Sequence, residues 1–189
     1  MMRAPVTCTA IALGLVTLAG CDRFPFHPRD GMVTLPTRGS WVSSESPPSA
    51  TPPAGCVLHI ETAQDGEATV LGPFTGTGET CVTDAQPSMD TPDIWDQAPA
   101  PPYLVAKFDS HMTWVTASGD ELHVAASGAD FVQSQANGAT AVSGVLSIEG
   151  GTGRFEGASG ELSVSGGRGP GEPGDEISFE GDVTVERGR

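Results

Sequence analysis

A glycine-rich segment near the carboxyl end constrains the fold more than any other part of the chain. Residues 150–160 read Gly-Gly-Thr-Gly-Arg-Phe-Glu-Gly-Ala-Ser-Gly, with one large apolar side chain, Phe155. Glycines next to strand patterns are typical of bends or of close backbone approaches. Alternating polar and apolar residues precede and follow the segment. We therefore predict a corner between two strands that places Phe155 in the core. The corner glycines are Gly151, Gly153, Gly157 and Gly160.

Alternation continues through most of the remaining sequence, which contains no convincing helix. Residues 103–116 alternate over a length that favours a bulge near Asp109-Ser110, and residues 176–186 alternate again. A turn is expected at residues 64–66 and a proline-rich loop at about residues 84–102. About eight strands result, so we predict an all-β domain, a single eight-stranded antiparallel β-barrel over residues 55–189. Such a barrel is filled by side chains or leaves room for one small ligand.

The corner motif resembles one found in dirigent proteins and in the related allene-oxide-cyclase-like barrels. Shorter segments are similar as well: Gly72–Gly78, Ser118–Leu122 and Ile177–Gly181. The resemblance covers roughly residues 56–186. The chain is most similar to uncharacterised bacterial members of this group. It implies the barrel fold. Plant members do or steer chemistry inside the barrel, but their lumen residues do not map onto this chain, so a fold analogy carries no activity here.

The first twenty residues have the pattern of a lipoprotein signal peptide. Arg3 is followed by an apolar run too short to span a bilayer. Leu18-Ala19-Gly20-Cys21 resembles the bacterial lipobox, which implies cleavage before Cys21 and lipidation of its thiol. The expected location is the bacterial cell envelope, outside the cytoplasm. Asp22 resembles an inner-membrane retention signal and slightly favours that membrane over the outer one.

Residues 21–54 are predicted to form a lipidated cysteine and a flexible tether. Its second half is rich in serine and proline and has no apolar periodicity. An earlier run through Val33, Leu35 and Trp41 leaves open the alternative of a docked edge strand.

Two cysteines remain once Cys8 has left with the signal and Cys21 is modified. Cys56 and Cys81 lack Cys-Xaa-Xaa-Cys spacing, and in an oxidising compartment they most simply form one disulfide.

The charge and the histidines exclude several classes of function. The formal net charge is -15, so nucleic acid is not an expected partner and membrane attachment must be covalent. The four histidines share no metal-ligand spacing, and no phosphate loop or dinucleotide fingerprint occurs. We therefore expect no metal, no cofactor and no identifiable catalytic residue.

Four residues are candidates for a ligand site. Trp95, in the proline-rich loop, either caps the barrel or packs on its outer wall. Phe108 and Trp114 face the predicted interior. Arg154 either holds a ligand carboxylate at the mouth or pairs on the surface with Glu156 or Glu149, and the surface pair is favoured.

The sequence leaves three functions open, of which the first is favoured. The first is a non-enzymatic envelope binding or interaction module that takes a small apolar ligand in the barrel. The second is a cyclase- or isomerase-like enzyme acting in the same lumen. The third is a filled structural barrel that contacts another envelope protein.

Overall fold

The computed structural model describes residues 31–94 and 101–186, and it shows a closed antiparallel β-barrel of eight strands. This confirms the predicted fold class. Each strand pairs with its neighbours in sequence, and β1 pairs with β8 to close the barrel. The strands are β1 (Met32–Glu45), β2 (Leu58–Ala68), β3 (Gly72–Ser88), β4 (Tyr103–Thr116), β5 (Glu121–Ser134), β6 (Thr140–Gly151), β7 (Ser159–Arg168) and β8 (Asp175–Glu186).

Helical structure in the described ranges amounts to one short 3₁₀ turn, Gly153–Phe155, between β6 and β7. None of the described residues belongs to a helix with the length and apolar character needed to cross a membrane.

The first strand corrects the predicted start of the barrel. Residues 32–45 are not part of a tether, and they are not an edge strand either, because β1 pairs with β2 on one side and with β8 on the other. Thr37 and Trp41 are buried within it. The serine and proline residues that follow hid this pattern, since they made the whole region look like one polar linker. Residues 46–57 are instead the β1–β2 connection.

The first predicted turn and the start of the proline-rich loop are also corrected. Residues 64–66 lie inside β2, and the β2–β3 turn lies at residues 69–71. Asp65-Gly66 resembled a turn because Gly66 has no side chain, but the aromatic ring of Phe74 occupies the space where that side chain would be. Strand β3 continues to Ser88, so the loop before β4 begins at residue 89. The bulge predicted near Asp109 is present between β4 and β5, where Asp109 accepts a hydrogen bond from the Gly128 N–H over 2.8 Å.

The two ends of the barrel differ in how they are filled. At one end, the closed end, the interior is packed by a core that includes Leu71, Leu122, Phe155, Leu162 and Val183. Both chain ends of the barrel, Met32 and Glu186, lie side by side at this end. The connections β1–β2, β3–β4, β5–β6 and β7–β8 all lie at the opposite end, the open end.

Four aromatic rings cross the middle of the barrel and separate its two halves. Trp114 has its ring centroid 4.9 Å from that of Phe74, 5.2 Å from Phe179 and 5.4 Å from Trp41. The rings fit because inward positions on neighbouring strands are glycines: a methyl group at Gly39 would meet Phe179, and one at Gly76 would meet Trp114. Each tilted aromatic pair of this kind contributes about 0.5–1.5 kcal/mol to stability, in addition to the contribution of its buried apolar area.

The glycine-rich corner covers the closed end. Phe155 is 1% exposed, as predicted from the pattern, and the corner is tied to the start of β5 by the Thr152 N–H, which donates to the Glu121 carbonyl over 2.9 Å. Gly153 has a φ of 57°, which side-chain-bearing residues rarely adopt. Gly157 and Gly160 also have positive φ, and at Gly151 a methyl group would meet the Glu121 carbonyl.

Candidate functional site

The open half of the barrel contains a cavity of about 550 Å³, which we call the lumen. It is lined by inward side chains from all eight strands, because every strand of the barrel alternates between wall and interior. Most of these side chains are apolar. They include Leu58, Ile60, Val82, Leu104, Ala106, Phe108, Phe131, Val142, Leu146, Val164 and Ile177.

Trp41 and Met112 form the deep part of the lumen, and Trp114 lies beneath it. Trp114 is 0% exposed and does not line the lumen, so the structure places this candidate in the aromatic core rather than at a ligand surface. Its indole N–H donates to the Gln64 side-chain oxygen over 2.7 Å. Phe108, by contrast, lines the lumen and is partly buried.

Polar groups on β2, β3 and β4 are satisfied by one another. The hydroxyls of Thr80 and Ser110 are hydrogen-bonded over 3.0 Å, and Ser110 also donates to the Glu79 carbonyl. The Gln64 amide is engaged by Trp114 and lies 3.0 Å from the Met112 sulfur. This side of the lumen therefore presents a mainly apolar surface, since its few polar atoms already have partners.

Charged residues line the lumen on its other side, near the open end of the barrel, which we call the mouth. Glu45 comes from the end of β1, Arg168 from the end of β7 and Asp175 from the start of β8. Asp175 is only 5% exposed, and the Thr140 hydroxyl donates a hydrogen bond to its carboxylate. The Arg168 backbone N–H in turn donates to the Thr140 oxygen over 3.0 Å. We call Glu45, Thr140, Arg168 and Asp175 the charged wall.

The groups of the charged wall act on one another electrostatically. Desolvation at the mouth raises the pKa of the Glu45 carboxyl above its ordinary value, and the nearby Asp175 carboxylate raises this pKa further. The Arg168 guanidinium partly offsets both effects. Two carboxylates thus face one cation across the same part of the lumen.

A disulfide fixes the connection that borders the mouth. Cys56 and Cys81 are bonded, with their Cα atoms 5.2 Å apart, which confirms the predicted pair. The bond joins the end of the β1–β2 connection to β3. It therefore restrains Val57 and Leu58, which line the lumen next to Cys56.

Arg154 lies at the closed end, far from the mouth. Its guanidinium donates to the Leu71 carbonyl over 2.9 Å and lies 3.6 Å from the Asp120 carboxylate. It also stacks on Phe155 at 4.7 Å from the ring centroid. A ligand role at the mouth is therefore wrong. A surface ion pair was predicted with Glu156 or Glu149, whereas the structure shows one with Asp120, on the β4–β5 connection next to the 3₁₀ turn.

Three histidines lie on the outer wall, each beside a glutamate. His59 is 3.8 Å from Glu79, His111 is 3.6 Å from Glu149, and His123 is 3.3 Å from Glu121. Part of this wall surrounds a shallow concavity lined by Glu61, Glu79, His111, His123 and Glu149. Over residues 31–94 and 101–186, no three histidine, cysteine or acidic side chains converge as metal ligands would.

Two sequence candidates, Trp95 and Cys21, lie outside the described residues. The charged wall, conversely, was missed by sequence reasoning. Asp175 and Arg168 do extend the inward alternation of their strands by one step, at residues 175, 177 and 179 and at residues 164, 166 and 168. Glu45 gave no such signal because it was assigned to the tether.

Comparisons with known proteins give one structural similarity. No protein-family model matches the chain, and no curated protein matches it. Among solved structures, a pterocarpan synthase dirigent protein is similar at 14% sequence identity with a TM-score of 0.41, over 84% of this chain and 87% of that one.

Proposed function

We propose that this chain is a lipid-anchored protein of the bacterial envelope whose barrel binds a small, largely apolar molecule in the lumen. The half-filled barrel carries the proposal. One half is packed by aromatic and aliphatic side chains, while the other keeps a cavity of about 550 Å³. Ligand sites are commonly concave, mostly apolar and about 300–1,000 Å³ in volume.

The lining of the lumen favours an apolar occupant over water alone. Leaving apolar surface exposed in a concave site costs free energy that a ligand of matching character recovers. On β2, β3 and β4, the hydroxyls of Thr80 and Ser110 already bond to each other. Water in that part of the lumen would find few partners, and a hydrocarbon or aromatic group would displace it favourably.

With a lipid on Cys21, the start of β1 at Met32 would limit how far the barrel can lie from the membrane. Lipidation at Cys21 would leave only ten residues, 22–31, before the first strand. Fully extended, this link spans at most about 40 Å. Since Met32 lies at the closed end, the anchor would hold that end toward the membrane and direct the mouth away from it, where a ligand or an envelope partner could reach the lumen.

A proton-transfer enzyme of the isomerase or cyclase type is the second candidate. The observation that favours it is Glu45, a carboxyl group with a raised pKa in an open, mostly apolar cavity. A carboxyl group whose pKa is raised in this way holds a proton more readily than an ordinary glutamate, which suits it to exchange a proton with a bound molecule. Binding remains the first proposal because the volume and the apolar lining of the lumen support it, whereas proton transfer is supported by Glu45 alone.

The binding proposal is tested with N-phenylnaphthylamine, a neutral probe that fluoresces in apolar sites. The protein is the mature polypeptide, residues 21–189 with serine at 21, which keeps all eight strands and the disulfide. We expect saturable fluorescence that Ala85→Trp abolishes, because residue 85 lines the lumen. Ala63→Trp, on the outer wall, should bind as the parent does. Undiminished binding by folded Ala85→Trp would overturn the proposal. Loss of probe binding in Ala63→Trp would indicate that the probe binds in the outer concavity instead.

A further inference from the structure

We propose that the lumen is built for an apolar molecule with a single positive charge, a lipophilic amine, whose ammonium group lies at the charged wall. This inference rests on the proposed function, since it names the chemical class of ligand for the same cavity. Three observations support it: the charges of the wall, the burial of Asp175 and the separation of polar from apolar surface around the mouth.

The charges of the wall do not balance. Glu45 and Asp175 supply two negative charges when both are ionised, and Arg168 supplies one positive charge. One negative charge is left over in a partly desolvated place, where it costs more than in water. A ligand with one positive charge would neutralise it. A neutral ligand would leave it uncompensated, and an anion would add to it.

Asp175 is placed to receive a donor from the lumen. Its carboxylate is 5% exposed and has one hydrogen bond from the Thr140 hydroxyl. A carboxylate can accept about four hydrogen bonds, and an ammonium group has three donors. Because Asp175 and Glu45 both line the lumen on the adjacent strands β8 and β1, one ammonium group could donate to both. Hydrogen bonds between charged groups are roughly twice as strong as neutral ones.

The rest of the mouth suits the apolar body of such a molecule. On the side formed by β2, β3 and β4, the lumen is lined by Leu58, Val82 and Leu104, and its floor is Trp41. An amine bound at the charged wall would therefore lie with its hydrocarbon or aromatic part against these residues. The net charge of -15 on the whole chain also raises the local concentration of cations around the barrel.

The test compares three molecules that differ only in their polar end: phenylbutylamine, phenylbutanol and phenylbutanoate. Each molecule is titrated against N-phenylnaphthylamine bound to the mature polypeptide, at neutral pH and low salt, and its affinity is measured from the displacement of the probe. We expect the amine to bind about tenfold more tightly than the alcohol, as one charge-assisted contact would give, and the carboxylate to bind most weakly. Equal affinities for the three would overturn the inference while leaving the binding function intact. If neither the probe nor any of the three binds, both fail.

Variants of the wall separate recognition of charge from simple packing. Glu45→Gln should remove most of the preference for the amine over the alcohol. Arg168→Gln should strengthen amine binding, because it removes the opposing positive charge, and damage to the fold would not produce a gain. Glu67→Gln, an exposed residue on the outer wall, is the matched control for charge and should behave as the parent. An unchanged preference in Glu45→Gln or weaker amine binding in Arg168→Gln would overturn the inference.

Discussion

The indole N–H of Trp114 donates to the side-chain oxygen of Gln64 over 2.7 Å, directly beneath the lumen. Both residues are buried, on strands β4 and β2. This bond satisfies polar groups in a layer that is otherwise aromatic, and it fixes the tryptophan against which Trp41 and Phe74 pack. The floor of the lumen therefore depends on one glutamine.

Gln64→Leu should destabilise the barrel although leucine is apolar and of similar size. It leaves the Trp114 N–H buried without its acceptor, which costs about 1–3 kcal/mol. Urea denaturation followed by tryptophan fluorescence measures the change. Gln133→Leu is the matched control, because Gln133 lines the lumen near the mouth and is only partly buried. Equal losses in the two variants would show that the bond to Trp114 has no special role.

Phe155→Ala should lower the free energy of unfolding by about 3–5 kcal/mol, the usual cost of removing a buried aromatic ring. Phe131→Ala, at the partly exposed mouth, should cost clearly less. Urea denaturation of both variants gives the comparison. A near-neutral result for Phe155→Ala would mean that the corner does not seal the core.

The glycine corner and the alternation of polarity were sufficient to predict the barrel and the burial of Phe155 from sequence. Alternation reports which side chains face inward, and this holds wherever a strand is long and regular. It failed at β1, because proline and serine next to a strand resemble those of a linker. It failed again at Asp65-Gly66, where the glycine provides space for Phe74 rather than a turn.

The charged wall could not be predicted from the sequence because its members come from four separate strands. Pairing of β6, β7 and β8 brings Thr140, Arg168 and Asp175 together, and the closure of the barrel between β8 and β1 adds Glu45. The half-filled interior could not be predicted from the sequence either. Sequence alone gave the inward residues but not how far Trp41, Phe74, Trp114 and Phe179 extend across the barrel.

Replacing both Cys56 and Cys81 by serine should destabilise the protein by about 3.5 kcal/mol in the chain-entropy model, for a sequence separation of 25 residues. Thermal unfolding under non-reducing conditions measures the loss. Adding a reductant should bring the parent close to the variant and leave the variant unchanged. Equal stability of the oxidised parent and the variant would contradict a stabilising role.

Cys21→Ser in the full-length chain should abolish lipidation. Intact-mass analysis should show added acyl groups on the parent and none on the variant. Membrane fractionation should show that the variant is released from the membrane. Cys8→Ser is the control, since Cys8 is predicted to leave with the signal peptide. An acylated Cys21→Ser protein, or a parent without added lipid, would refute the anchor.

Glu45→Gln should change how stability depends on pH. The pKa of Glu45 is raised in the folded protein by desolvation and by Asp175, from an ordinary value of 4.5. The folded state therefore holds this proton more tightly than the unfolded chain, and the parent loses stability as pH rises from 4.5 through the raised value. The variant lacks this loss, so it should match the parent in acid and be more stable than the parent at neutral pH.

Thermal melts of the parent and Glu45→Gln over this pH range measure the difference in Tm. Glu67→Gln removes the same charge from the outer wall and serves as the control for net charge. Arg168→Gln should enlarge the pH-dependent loss, because Arg168 lowers the pKa of Glu45. A Glu45→Gln protein that is less stable than the parent at neutral pH would show that Arg168 outweighs desolvation and Asp175. The charged wall would then already be balanced without a cationic ligand.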